Sequence, residues 1–265
     1  MSGKVYLVGA GPGAADLITV RGVRLLAKAD MVFFDALVEP EMLEYCSQAE
    51  KIAVGKRCGR YSTAQRFIEK RLIHAAQNHA VVVRLKGGDP MMFGRADEEL
   101  RALEAAGIDV EVVPGITAAL AAAATLKRSL TLRGVARSVA FATEAKAQAD
   151  CNECPDESRA INADTLVYYM GRDGTETIAR RLLDAGRAAE TPVRIVESIS
   201  TSRERILAIS LAQMAEGVAT GWLAGLSPAL LLIGDALASR DELPSAVVRD
   251  GLQDGDVFAD GRRVA

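Results

Sequence analysis

Residues 82–95, reading VVRLKGGDPMMFGR, hold the chain's densest set of groups suited to gripping a small ligand. Gly87 and Gly88 follow a β-branched run, Val81 to Val83, and paired glycines after a strand permit positive φ and close approach of backbone to a bound molecule. Asp89-Pro90 then constrains the turn, because proline fixes its own φ and restricts the residue before it. Met91, Met92 and Phe93 are apolar where a loop is ordinarily polar, and Arg84, Lys86 and Arg95 flank them. Backbone amides, an apolar floor and nearby cations suit a ligand with both an apolar and an anionic part. A tight strand-to-helix turn with core methionines fits the same spacing.

Three further stretches bear on chemistry. GAGPG (Gly9 to Gly13) lies between a strand and a helical stretch, so its amides and a helix N-terminus can face a ligand. It departs from the dinucleotide fingerprint, whose third glycine comes one residue later, and Pro12 intrudes; the spacing reads as a tight turn. Asp35 ends the short strand 31–34, at the carboxyl edge where open parallel sheets hold their ligands, although a plain strand-end turn residue looks the same. Lys56, Arg57 and Arg60 alternate with Gly55 and Gly59 in a local positive loop, a pattern whose usual meaning is solvated charge. His74 and His79 are the chain's two histidines, both on or just past one helix, which excludes a Ser-His-Asp triad and a histidine-rich metal site. Cys151-Asn152-Glu153-Cys154 is a lone C-x-x-C without a second pair and reads as an exposed loop, so no metal is expected.

The elements that must position these groups alternate. Strand 5–8 precedes a helix opened by Thr19, strand 51–54 precedes a helix opened by a Ser62–Gln65 capping box, and Ile68, Leu72 and Ala76 mark that helix's buried face. A helix from Asp97 ends at Gly107, strand 109–113 runs into VPGIT, and an alanine-rich helix covers 118–125. Such alternation predicts a parallel sheet with crossovers. The second half repeats it less regularly: strands 138–142, 165–169, 193–197 and 228–234, with a helix over 173–186 and a polar segment over 145–163. Pro114-Gly115 is the expected hinge, giving an N-terminal α/β domain over 1–114, a C-terminal α/β domain over 115–245 and a mobile tail over 246–265.

With 265 residues, 49% of them hydrophobic and 25% charged, the chain suits a globular protein with a sizeable core. A net charge of −3 offers no field for nucleic acid. No apolar run nears the roughly 18 residues of a membrane span. Four cysteines without a regular framework and no signal-peptide anatomy predict reduced thiols and a cytoplasmic location.

Taken together, VYLVGAGPGAADLIT, MVFFDALV, VGKRCG, VVRLKGGDPMMFGR, AGIDVEVVPGITAA, TLVYYMG and PALLLIG resemble, in order and spacing over about residues 4–240, the S-adenosylmethionine-dependent tetrapyrrole methyltransferases. The chain is most similar to the stand-alone uroporphyrinogen-III C-methyltransferases, a subgroup marked by the GKR loop with Gln65 and by RLKGGDP-xx-FGR. The resemblance implies the tetrapyrrole methylase fold: two α/β domains with S-adenosylmethionine in the cleft between them, S-adenosylhomocysteine as product, and a homodimer. It places cofactor contacts on Pro12, Gly87, Gly88, Asp89, Met92, Thr117, Ala118, Met170, Pro228 and Ala229. The implied substrate is a polycarboxylate tetrapyrrole, uroporphyrinogen III, methylated at two pyrrole carbons to precorrin-2. Arginine grips carboxylates bidentately, so Lys56, Arg57 and Arg95 are assigned to the substrate, and Arg84 and Lys86 to structure. Asp35 is the implied proton acceptor and Lys56 a donor or carboxylate anchor.

Several positions depart from the family pattern. GIPLTHR is replaced by Lys127 to Arg133, T-G-H by Thr143-Glu144-Ala145, E-N-G-T by Glu197-Ser198-Ile199-Ser200, and the glycine pair after FGR by Ala96-Asp97. Glu144 is expected to set a carboxylate near a polyanionic substrate. Two other readings compete: a non-catalytic cofactor-binding dimer, motivated by these departures, and a nucleotide-dependent oxidoreductase using GAGPG.

Overall fold

The computed structural model describes residues 2–54, 61–144, 161–223 and 225–239. Lys56, Arg57, Cys58, Ala145, Cys151, Cys154 and the 246–265 segment lie outside them.

The valine-rich runs of the first half become one five-stranded sheet: β1 (Lys4–Gly9), β2 (Met31–Phe34), β3 (Glu50–Ala53), β4 (Val81–Lys86) and β5 (Asp109–Val113). Its order is β3-β2-β4-β1-β5, with every pair parallel. Such a sheet must be covered on both faces, which is why its strands are apolar at consecutive positions. Val8, Val32, Val83 and Leu85 pack with Leu26 of α1 (Val20–Leu26) and with Met42 and Cys46 of the 3-10 segment Pro40–Cys46. Val5, Leu7, Phe33 and Val82 pack on the other face against Ile68 and Leu72 of α2 (Tyr61–Asn78) and Leu103 of α3 (Ala96–Ala105). The chain leaving β1 therefore enters a helix on one face, and the chain leaving its neighbour β4 enters a helix on the other. The crevice outside the carboxyl ends of such a strand pair is where open α/β sheets bind ligands.

The second sheet contains β6 (Val139–Thr143), β7 (Thr165–Tyr169), β8 (Pro192–Glu197), β9 (Arg205–Ser210) and β10 (Ala229–Ile233), in the order β6-β7-β10-β8-β9. β6 and β7 are parallel; the remaining pairs are antiparallel. The sheet is thus mixed: β9 lies beyond the expected strands, and β8 returns directly into it. α4 (Ala118–Leu126) covers one face, against Val167, Val196, Leu230 and Leu232. α5 (Thr175–Asp184), α6 (Leu211–Ala215) and α7 (Val218–Trp222) cover the other, with Ile178, Leu182, Leu211 and Met214 against Leu166, Ile195 and Leu231. β10 is buried along its whole length, as its ALLLI sequence requires.

Two helix starts differ from expectation. Thr19 does cap α1, its Oγ1 accepting from Gly22 N at 3.1 Å. Ser62, however, already lies inside α2, and Gln65 turns its amide to Glu99 instead of closing a capping box. α3 begins at Ala96, one residue before Asp97, with Arg95 in the left-handed region at φ 56° as its N-cap. No helix among the described residues is long and apolar enough to cross a membrane.

Candidate functional site

Three glycine loops meet at the carboxyl end of the first sheet. Gly11 N donates to Gly88 O at 3.1 Å and Gly88 N donates to Gly11 O at 2.7 Å, so the GAGPG and GGDP loops form a two-bond ladder above β1 and β4. The turn after β5 closes against both. A Cβ on Gly115 would stand 2.2 Å from Gly88 O and 2.8 Å from Gly9 Cα, and one on Gly9 would stand 2.6 Å from Gly115 Cα. These glycines are required by backbone approach. Gly88 differs: its φ is +67° and a Cβ there would meet nothing within 4 Å, so its open side is available to a ligand.

Asp89 fastens the cluster. Its Oδ1 accepts from Met91 N at 2.8 Å, shaping the Asp-Pro turn, and its Oδ2 accepts from Gly115 N at 2.9 Å. The carboxylate thereby joins the loop after β4 to the one that leads into Thr117 and α4. Thr117, the N-cap of α4, does not cap with its side chain. Its hydroxyl instead lies 2.6 Å from the phenol oxygen of Tyr169, which also accepts from Ala119 N at 3.3 Å. Phe93 of the GGDP loop packs on the Tyr169 ring at 5.0 Å between centroids, and Phe141 meets it edge-on at 6.2 Å. Burial holds the Tyr169 phenol above its ordinary range. Met170 follows in the left-handed region, φ 53°, with half its surface exposed. On the far side, Pro228 O accepts from Ser198 N at 2.9 Å, and a Cβ on Gly13 would approach Ile199 O to 2.6 Å. An Arg203–Glu39 ion pair at 3.1 Å adds a charged link between the halves.

Of the residues singled out for a cofactor, Gly87, Gly88, Asp89, Met92, Thr117, Ala118 and Met170 lie on one continuous run of contacting segments. Pro12 joins it through the Gly11–Gly88 ladder. Pro228 and Ala229 join through the 198–201 loop. Exposed Leu37, Met91 and Met170 and half-exposed Phe93 give the run an apolar surface. Tyr169, which ties α4 to the end of β7, was not among the expected site residues. Its signal was an aromatic at a strand end directly before Met170-Gly171.

Asp35 lies at the end of β2, and its carboxylate Oδ1 accepts from Arg84 Nη2 at 2.5 Å. Arg84 and Lys86 are buried, as their structural assignment requires, and both bind Glu99, at 3.1 and 2.9 Å. Burial opposes the Arg84 charge, but Asp35 and Glu99 outweigh it and raise its pKa. Burial lowers that of Lys86, and the neighbouring Arg84 charge adds to the effect. Arg95 is partly exposed and forms a two-armed pair with Glu98, 2.7 Å from Nε and 2.6 Å from Nη2. That hydrogen bonding raises its pKa. His74 is exposed, His79 half-buried, and no group of metal-binding side chains occurs among the described residues.

Glu144, expected near the substrate, is not a bare carboxylate. Arg181 of α5 donates to both its oxygens, at 3.3 and 3.1 Å, so the carboxylate is neutralised inside the second half. Glu197 at the end of β8 is likewise held, by Arg205 and by Arg172, whose guanidinium also donates to the carbonyls of Ser227, Leu223 and Gly225.

Among the described residues this arrangement offers open backbone at Gly88, apolar surface from Met and Phe, and no side-chain nucleophile set beside a base. It fits an adenosyl-methionine ligand, with amides and carbonyls for the polar end and apolar side chains for the base. Residues 4–215 match the tetrapyrrole (corrin/porphyrin) methylases. The siroheme synthase of Azotobacter vinelandii is 42% identical over 242 residues, covering 91% of this chain and 52% of that protein; the chain thus spans about half the length of the curated relatives it matches. Among solved structures, the uroporphyrin-III C-methyltransferase of Thermus thermophilus superposes with a TM-score of 0.76 at 36% identity, covering 93% of this chain and 100% of that one. The same enzyme complexed with S-adenyl homocysteine gives 0.75 at 37%, with coverage of 93% and 100%. A cobalt precorrin-4 methyltransferase gives 0.75 at 27%, with coverage of 89% and 96%. The chain belongs to the tetrapyrrole methylases and is an S-adenosylmethionine-dependent methyltransferase.

Proposed function

We propose that this protein methylates uroporphyrinogen III at two pyrrole carbons, giving precorrin-2 for sirohaem, cobalamin or haem d1 synthesis. The observation that carries the reading is similarity to the Thermus thermophilus uroporphyrin-III C-methyltransferase over that chain's full length at 36% identity, against 27% for the cobalt precorrin-4 enzyme. S-adenosylmethionine supplies a methyl group on a sulfonium, already a good leaving group. The chain's task is therefore alignment and proton removal. Gly87, Gly88, Asp89, Met92, Pro12, Thr117, Ala118, Met170, Pro228 and Ala229 are the residues we assign to cofactor binding. Arg95 and Lys56 grip substrate carboxylates, and the Asp35 carboxylate accepts the proton lost after each methylation. We further propose that the two sheets belong to separate domains divided at Pro114, that the protein acts as a cytoplasmic homodimer, and that it binds neither membrane nor nucleic acid.

The test is turnover of anaerobically prepared uroporphyrinogen III with S-adenosylmethionine, with methyl groups counted by mass. A gain of two methyls supports the reading. Tight S-adenosylhomocysteine binding without methyl gain sinks it and favours a non-catalytic paralogue.

A further inference from the structure

β4 ends with two cations turned into the α2/α3 face of its sheet, where ordinary core residues would serve packing better. Arg84 is 2% exposed, Lys86 3% and Glu99 0%. Taking such charges out of water is expensive unless every arm is met. Here each is. Glu99 accepts from Arg84 Nε at 3.1 Å, Lys86 Nζ at 2.9 Å and Gln65 Nε2 at 3.3 Å. Arg84 gives its remaining arms to Leu85 O at 3.1 Å and Asp35 Oδ1 at 2.5 Å. Of the five side chains in this network, Asp35 alone is partly exposed, at 28%. The turn that carries it packs over the GGDP loop: a Cβ on Gly87 would stand 2.9 Å from Leu37 Cβ.

We infer that Arg84 is a positioning residue: anchored by Glu99 and Leu85 O, its guanidinium fixes where the Asp35 carboxylate points into the cleft. A planar fork held at two of its corners can orient a carboxylate at the third, which a lysine ammonium on a flexible stem cannot do. Glu99 is also on the first turn of α3, so the same anchor fixes the helix start that bears Arg95 and Glu98. This inference rests on the reading of Asp35 as proton acceptor.

The test is a double-mutant cycle on turnover with S-adenosylmethionine and uroporphyrinogen III, using Asp35→Asn, Arg84→Met and the pair together. If Arg84 acts through Asp35, Arg84→Met lowers kcat by about 100-fold, the scale of an ångström's misplacement, while KM for both substrates stays within about threefold. Arg84→Lys, which keeps the charge without the fork, recovers little of that loss. The double variant turns over no more than about threefold slower than Asp35→Asn alone, because the second change removes nothing the first has left. Losses that multiply in the double variant, or an unchanged kcat in Arg84→Met, overturn the inference while leaving Asp35 in place. Full turnover by Asp35→Asn instead overturns the assignment of Asp35, and this inference with it. Should Arg84→Met not fold, Arg84→Lys replaces it in the same cycle with the same criteria.

Discussion

Replacing Gly115 by alanine adds one methyl group where three backbones meet. Its Cβ would lie 2.2 Å from Gly88 O and 2.8 Å from Gly9 Cα, against 3.4 Å or more for ordinary contact. Both neighbours are main chain, so no rotamer change relieves the overlap, and the GGDP loop must move by about 1 Å, a displacement of the kind that strains a packed core by 1–3 kcal/mol. Gly88 cannot move alone, because it is tied to Gly11 by two hydrogen bonds, and Gly115 N is tied to Asp89. Weakening that set adds roughly 1 kcal/mol, one net hydrogen bond. The expected destabilisation is about 2–4 kcal/mol, or a Tm lower by roughly 5–15 °C for a chain of this size. The control is Gly221→Ala in α7, where the added Cβ meets nothing within 4 Å. There the change should be neutral or stabilise by up to about 1 kcal/mol. Paired thermal melts measure this, and calorimetry should show S-adenosylhomocysteine binding at least about tenfold weaker in Gly115→Ala, a loss of about 1.4 kcal/mol. Melting of Gly115→Ala together with Gly221→Ala would refute the closed three-loop packing.

Other expectations follow from the same contacts. Tyr169→Phe keeps the ring stack with Phe93 and Phe141 but removes the bonds to Thr117 and Ala119; it should cost about 1 kcal/mol of stability and weaken S-adenosylhomocysteine several-fold, read by melting and calorimetry. A cycle of Glu144→Gln and Arg181→Met should give a coupling of about 1 kcal/mol in urea unfolding, since the pair is bidentate and about four-fifths buried. Additive effects would mean that Glu144 faces the cleft after all. The Asp164 carboxyl is held below its ordinary 3.8 by the Arg137 amide first, then by the Ser138 hydroxyl and amide. Its contribution is therefore present above the unfolded value and lost as pH falls through the lower folded one. Wild type should lose urea stability below about pH 4, and Asp164→Asn should lack that part of the slope.

Much of the first half was legible because its signals are local. Valine runs gave β1, β4 and β5, Thr19 marked a helix start, Gly107 a helix end, and the glycine pairs marked the loops that do meet. What those glycines are for was not legible: Gly88 leaves space for a ligand, whereas Gly9 and Gly115 only let backbones touch, and identical residues give no hint of the difference. Gln65 shows a local rule overridden by a distant partner, since its spacing to Ser62 matches a capping box while its amide is needed by Glu99, 34 residues away. β9 escaped because Arg205–Ser210 begins at a charge and is largely exposed on an edge, so it lacks the buried apolar run that marks the central strands. Asp35 and Arg84 were visible singly, but their contact spans 49 residues and is set by the neighbouring of β2 and β4.

The departures from the family pattern look different once their contacts are known. Glu144 brings an acid, and Arg181 brings its partner. Lys127 takes a left-handed conformation, φ 52°, to end α4, and Arg128 donates from Nε to Ala238 O at 2.9 Å, pinning that helix end to the close of the second sheet. Ser198 and Ser200 stand at φ 52° and 59°, conformations that cost a non-glycine residue roughly 1 kcal/mol or more. Their loop is held in place regardless: Glu204 accepts from Ser200 N at 2.7 Å and from Thr125 Oγ1 at 3.3 Å, and Thr201 Oγ1 donates to Ser198 O at 2.8 Å. Glu144, Arg128 and the serine loop are thus each held by contacts within the second half, while the glycine ladder, Asp89 and the Asp35–Arg84 pair in the first half are intact. A chain drifting after loss of function has no reason to balance a largely buried new carboxylate with an arginine. That balance favours an enzyme whose second half has been rebuilt around a working cleft over a retired one.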